Sequence, residues 1–164
     1  MSDEPLADVR LRPITDDDLP FLARLYASTR WDEVQQTPWS DEERVAFLQW
    51  QFDAQHKHYQ EHYPDCAFDV VERSGEPIGR LYVDRWEEEI RLVDVALLPE
   101  ARGQGLGGAL LGRLLEEGRE SGKPVSIHVE YNNPALRLYR RLGFEHVDSN
   151  GVYYLMRWEP GKDD

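Results

Sequence analysis

Between Pro99 and Gly118 the chain reads PEARGQGLGGALLGRLLEEG. Gly103, Gly105 and Gly107 alternate with other residues there, at the mouth of a segment patterned as a helix. Glycine inside a helix costs roughly 1 kcal/mol against alanine, so its crowding here needs a reason. Without a Cβ the backbone can adopt positive φ and let another group approach closely. Successive N–H groups then converge on one concavity, and the free amides and dipole of the first helical turn add to it. Such a place binds anions, phosphate best of all. Arg102 sets a full positive charge at its edge.

Three phosphate-binding motifs compete for this stretch. A P-loop needs Gly-Lys-Ser/Thr at its end, but Gly107 is followed by Gly108 and Ala109. GQGLGG satisfies G-x-G-x-x-G, with Glu130 placed for a ribose contact, yet too little chain follows Glu130 for the second half of a dinucleotide-binding sheet. The third fits. Arg102-Gly103-Gln104-Gly105-Leu106-Gly107 resembles the R/Q-x-x-G-x-G/A signature of the GNAT (GCN5-related) N-acetyltransferases, and Asn132-x-x-Ala135-x-x-x-Tyr139-x-x-x-Gly143-Phe144 resembles that family's second motif.

The resemblance implies acetyl-coenzyme A as cosubstrate, no metal, and transfer of acetyl to a primary amine by direct attack in a ternary complex. The acceptor is then a small-molecule or peptide amine. Residues 102–107 (Arg102, Gly103, Gln104, Gly105, Leu106, Gly107) hold the pyrophosphate. Leu97 and Leu98 lie where the pantetheine arm pairs with the strand, and a backbone N–H near Leu97 faces the thioester carbonyl. Asn132 contacts the cofactor or caps the next helix. Tyr139 takes the place of the tyrosine that serves the leaving thiol. Its chemistry suits the task, because a thiol near pKa 8.5 leaves more readily beside a phenol, near 10, that donates to it. The competing reading makes Tyr139 a core aromatic with Leu138 and Leu142.

The general base stays open. Period-two alternation places Asp94 on one face with Ile90, Leu92, Ala96 and Leu98, and a carboxylate in apolar company is costly unless paired or functional. Asp94 is therefore either a base or the partner of Arg80 on the neighbouring strand. His128 and Glu130, sharing one strand face, are alternatives, as is a water relay. A non-catalytic acyl-CoA-binding module of the same fold is the alternative function.

Positioning these groups requires an α+β domain, and the pattern supplies one in the order β-α-α-β-β-β-α-β-α-β-β. Strands are expected at 8–13, 67–73, 77–86, 89–98, 125–130, 144–148 and 152–158. Helices are expected from Asp16–Asp18 to Ser28 (Leu19, Leu22, Ala23 and Tyr26 inward), over 41–62 (Val45, Leu48, Phe52 and Tyr59 inward, opened by a Ser40/Glu43 capping box), to Ser121 and over 133–142. Residues 30–40 read as irregular. The strands flanking the glycine-mouthed helix should be parallel neighbours. The resemblance adds a central, mixed and largely antiparallel twisted sheet of about seven strands, flanked by about four helices, with β4 and β5 splayed. One domain spans 1–164, with its core over about 8–159.

The balance of 19 basic and 32 acidic residues, a net charge of −13, argues against nucleic acid or an anionic membrane as partner. Cys66 is the single cysteine, so no internal disulfide forms, and inside CAFDVV it reads as a small hydrophobe. MSDEPLADV has no apolar core of a signal peptide, and cytoplasm is the expected compartment. His58 and His62 share a helix face without a third metal ligand. Glu87–Glu89 reads as a solvated turn, the terminal GKDD as frayed, and the oligomeric state as monomer or homodimer.

Overall fold

A single seven-stranded sheet, in the order β1-β2-β3-β4-β5-β7-β6, organises the residues 6–161 that the computed structural model describes. The strands are β1 (Val9–Pro13), β2 (Ala67–Arg73), β3 (Glu76–Arg85), β4 (Ile90–Leu97), β5 (Val125–Glu130), β6 (Glu145–Asn150) and β7 (Tyr153–Trp158). Every neighbouring pair is antiparallel except β4 and β5, which run parallel as expected. Between β2 and β3 the turn is tighter than SGE: Ser74 and Gly75 alone make it, with φ of 53° and 82°. Two positive φ values in a two-residue loop match the right-handed twist of the strands they join.

Strand β4 carries the departure that matters most. Tyr82 pairs with Asp94 and the next residue, Val83, pairs with Leu92, so Val93 is an extra residue in β4. A bulge of this kind reverses the side-chain alternation beyond it. Ile90 and Leu92 enter the core beneath one face, and after the bulge Val95 and Leu97 pack against that same core. Ala96 and Leu98 join the opposite core. The expectation of one face shared by Ile90, Leu92, Asp94, Ala96 and Leu98 is therefore corrected. Asp94 goes with Ala96, away from Ile90 and Leu92.

The helices cover both faces. α3 (Leu106–Ser121) lays Leu110, Leu111, Leu114 and Leu115 on one face, where they pack with Ile127, Met156 and Trp158. α1 (Leu19–Val34) and α2 (Asp41–His62) cover the other, burying Leu22, Leu25, Tyr26, Leu48 and Phe52 over Val70. α4 (Leu136–Arg141) is one short piece ending near Gly143, whose φ is 104°.

Several helix boundaries and faces differ from the sequence expectation. α1 runs on to Val34, through residues expected to be irregular. The α2 bounds and the Ser40/Glu43 box agree, but Val45 points outward at 57% exposure. α4 starts at Leu136, because the Asn133 side chain accepts from the Ala135 N–H at 2.8 Å and holds residues 133–135 in a turn. Glu89 is not solvated with Glu87 and Glu88; it accepts from Ser126 Oγ and pairs with Arg91. Of the GKDD tail only Gly161 lies within the described residues, and most of the MSDEPLADV opening lies outside them. No helix among the described residues is long and apolar enough to cross a membrane.

The contact of α3 with β7 depends on an absent side chain. A Cβ on Gly118 would lie 2.8 Å from the Trp158 ring and 2.9 Å from the Lys123 carbonyl. On an open helix surface Gly→Ala stabilises by up to about 1 kcal/mol. Here Gly118→Ala should instead destabilise by about 1–3 kcal/mol through overpacking, read as a lowered urea midpoint with an unchanged slope.

Candidate functional site

Pairing between β4 and β5 stops almost as soon as it starts. Ile90, Arg91 and Leu92 pair with Val125, Ser126 and Ile127; beyond them the two strands part, as the resemblance implied. The split coincides with the Val93 bulge. It opens into a cleft of about 500 Å³, walled by the ends of β4 and β5, the starts of α3 and α4, and the C-terminal half of α1.

Backbone groups line the β4 side. Leu98 donates its N–H to the Ile78 carbonyl at 2.8 Å and accepts from Ala101 N–H at 2.9 Å, so both its backbone groups are engaged within the protein. Peptide directions alternate along a strand. Leu97, opposite Gly79, therefore turns its N–H and C=O away from β3 and into the gap. The Leu97 carbonyl accepts from Arg102 Nε at 2.9 Å, which also fixes the guanidinium at the cleft edge.

At the glycine-rich turn, Gly103 and Gly105 have φ of +74° and +82°, as their freedom from Cβ permits. Gly107 differs: it is already inside α3, where its lack of a side chain leaves the cleft wall open toward Leu138, 3.9 Å from where a Cβ would sit. The first turn of α3 has no intrahelical acceptors for its amides. Gln104 donates to the Glu100 carbonyl at 2.9 Å and accepts from Arg73 at 2.8 Å. The side chain of Leu106 is buried in the core and anchors the start of α3.

Tyr139 reaches the cleft from α4, 3% exposed, its ring edge-on to Phe144 at 5.7 Å. Burial first, and then the charge of Asp94, raises its phenol above the ordinary tyrosine range. Tyr139 is thus a core aromatic that also borders the cleft. Asp94 also lines the cleft and forms an ion pair with Arg80, which is 3% exposed, donates to Gln55 Oε1 at 2.8 Å and lies over the Tyr82 ring. The two roles considered for Asp94 are therefore compatible: it is paired and it faces the cleft.

The remaining base candidates also meet arginines. Glu130 is paired with Arg30 at 2.9 Å. His128 turns Nδ1 to the Arg91 guanidinium at 3.3 Å. Burial, then Arg91, lowers its pKa, so the ring is neutral at pH 7 with Nδ1 occupied as an acceptor.

The cleft therefore gathers Asp94, Leu97, Arg102, Gly107, Asn132 and Tyr139, with His128 and Glu130. It leaves Leu98 engaged elsewhere. Sequence reasoning missed Tyr26, Thr29, Arg30 and Glu33, which α1 brings to the cleft. Their i, i+3, i+4 spacing was a helical signal, hidden by their polarity. His58 and His62 stack on each other at 4.0 Å, and no group of three metal-ligating residues occurs among the described residues.

The sequence pattern defining the acetyltransferase (GNAT) family matches residues 25–144. Mycothiol acetyltransferase of Thermobifida fusca is 41% identical over 81 residues, which are 48% of this chain and 22% of that protein. The ribosomal protein bS18-alanine N-acetyltransferase of Haemophilus influenzae is 37% identical over 68 residues, 41% of this chain and 47% of that protein. The match thus spans less than half the length of either relative. Among solved structures, the PaiA N-acetyltransferase of Thermoplasma acidophilum in complex with coenzyme A superposes with a TM-score of 0.69 at 18% identity, over 92% of this chain and 98% of that one.

Gly107 offers a cleaner probe of the cleft than Gly105, whose left-handed φ resists any side chain. Gly107→Val should leave the fold intact and fill the cleft mouth. Calorimetric titration should show coenzyme A binding weakened at least about tenfold, the effect of an obstructing side chain worth more than about 1.4 kcal/mol. Unchanged affinity would mean that nothing enters there.

Proposed function

The chain belongs to the acetyltransferase (GNAT) family, and from that premise we propose that it transfers acetyl from acetyl-coenzyme A to a primary amine by direct attack, with no covalent enzyme intermediate. The observation that carries this is the gap between β4 and β5. An unpaired strand end, a glycine-flanked helix start with Arg102, and the Tyr139 hydroxyl all face one volume. Acetyl-coenzyme A supplies a thioester. The chain supplies the rest.

Arg102 and the amides of residues 105–108 hold the diphosphate, and Asn132 closes on the cofactor from the α4 side. The edge of β4 takes the amide-bearing arm by strand-like hydrogen bonds, which leaves the Leu97 N–H as donor to the carbonyl oxygen that becomes negative on attack. Because Leu98 has neither backbone group to offer, this task falls to Leu97. The amine nitrogen bonds to the acetyl carbon, the C–S bond breaks, and the sulfur leaves with the electron pair. Tyr139, with its phenol raised by burial, stays protonated and stabilises that sulfur by hydrogen-bond donation; full transfer of its proton to a thiolate near pKa 8.5 would run uphill.

The amine must shed a proton. Asp94, fixed in place by its ion pair with Arg80, accepts a hydrogen bond from it, and the proton passes on to water. Glu130 is tied to Arg30, and His128 has its free lone pair facing Arg91, so neither is as well placed. The acceptor enters past Tyr26, Arg30 and Glu33 of α1. A small amine or a peptide amine both suit an opening of this kind, and the relatives named above are a mycothiol acetyltransferase and a ribosomal-protein alanine N-acetyltransferase.

Release of free thiol from acetyl-coenzyme A, measured over a panel of amines and peptides against a no-amine control, tests the reaction. Amine-dependent release is expected. Tight coenzyme A binding without amine-dependent release on a broad panel would make the chain a binding module. Tyr139→Phe should lower kcat by about a hundredfold to a thousandfold, the range for losing a positioned donor, while coenzyme A affinity changes little. Full activity would remove Tyr139 from the reaction.

A further inference from the structure

We propose that Arg73, at the far end of β2, is a positioning residue for the phosphate loop and acts through Gln104; the inference rests on the cofactor site described above. Gln104 is the one residue between Gly103 and Gly105, both left-handed. A segment flanked by two such glycines gains little rigidity from its own backbone and loses much freedom on ordering. Its stiffness must come from the side chain between them. Gln104 spends its amide N–H on the Glu100 carbonyl, inside the same connection, at 2.9 Å. Its amide oxygen accepts from Arg73 Nη1 at 2.8 Å, across 31 residues of sequence. Arg73 thereby ties the loop to the β2–β3 hairpin.

The electrostatics point the same way. Arg12, Arg30, Arg44, Arg80, Arg85, Arg91 and Arg119 have carboxylate partners, and the other nine arginines, Arg73 and Arg102 among them, have none within 4.0 Å among the described residues; what sets Arg73 and Arg102 apart is their place at the glycine-rich loop. In a chain of net charge −13 that takes a polyanionic ligand, a cation left uncompensated beside the loop offsets the long-range repulsion. Arg73 therefore fixes the loop and raises the local potential with one side chain.

Calorimetric titration of coenzyme A into the full chain tests this, using Arg73→Ala, Gln104→Ala and the double variant over a range of salt. Arg73→Ala should weaken binding about five- to tenfold, the loss of a charge-assisted hydrogen bond near a surface, with a shallower salt dependence. The KM for acetyl-coenzyme A should rise by the same factor, with little change in kcat. Gln104→Ala should also weaken binding, and the double variant should lose less than the two single losses combined. Arg73→Lys should recover the salt dependence. Unchanged affinity in folded Arg73→Ala, or losses that add in the double variant, would overturn the inference. Absence of coenzyme A binding by the wild-type chain would instead overturn the cofactor site itself. Gln104→Ala changes an exposed loop side chain and keeps the test decisive if Arg73→Ala folds poorly.

Discussion

One extra residue in β4 sets up the site. Without the bulge at Val93, β4 and β5 would be free to continue the parallel ladder begun at Ile90–Val125, and the amides beyond Leu92 would be consumed by it. With it, β4 changes face and direction relative to β5, and the ladder ends after three pairs. An unpaired amide removed from water costs about 1–3 kcal/mol. The cleft keeps these amides at an accessible edge instead, where a ligand with its own amides can complete the pairing. The bulge also delivers Asp94 to the α1–α2 side, so the reversal that opens the gap brings the carboxylate to it.

Charge is distributed around this gap in pairs rather than in a single-sign patch. Asp94 faces Arg80, Glu130 faces Arg30, and His128 faces Arg91. Each pair fixes the position of the group of interest against a guanidinium, and the His128 imidazole is neutral. A carboxylate held this way is a fixed hydrogen-bond acceptor at the cleft. The large negative charge of the whole chain is read at long range and is screened over about 8–10 Å. The cations at the phosphate loop act inside that distance, which is how an acidic protein can accommodate a polyanionic ligand.

Much of this is legible in the sequence, wherever a few neighbouring residues decide the outcome. The order of all eleven strands and helices follows from period and turn chemistry, and the β5 and α2 bounds agree to the residue. The Ser40/Glu43 box and the left-handed glycines at 103 and 105 are local effects, set by a few neighbouring atoms, and so are visible to local reading. The bulge is not local. Period-two alternation assumes an unbroken register, and nothing in IRLVDVAL distinguishes Val93 from Val95; the difference lies in the partner strand. The end of α1 was hidden for another reason. Arg30 and Glu33 face a polar cleft rather than a core, so a helix that does line the site loses the apolar stripe that would announce it.

The glycines of the loop also divide by function in a way that spacing alone conceals. Gly103 and Gly105 are required for backbone shape, because both sit at positive φ where a Cβ costs about 1–2 kcal/mol. Gly107 is helical and has room beside it; its missing side chain serves the cleft, not the backbone. A motif that reads as one repeated residue thus combines two demands, a turn that aims the first amides of α3 and an open approach to them. The turn alone would aim amides at a blocked wall, and the opening alone would leave them aimed elsewhere. Their joint presence makes the start of α3 suited to an anion that must come within hydrogen-bonding distance of the main chain.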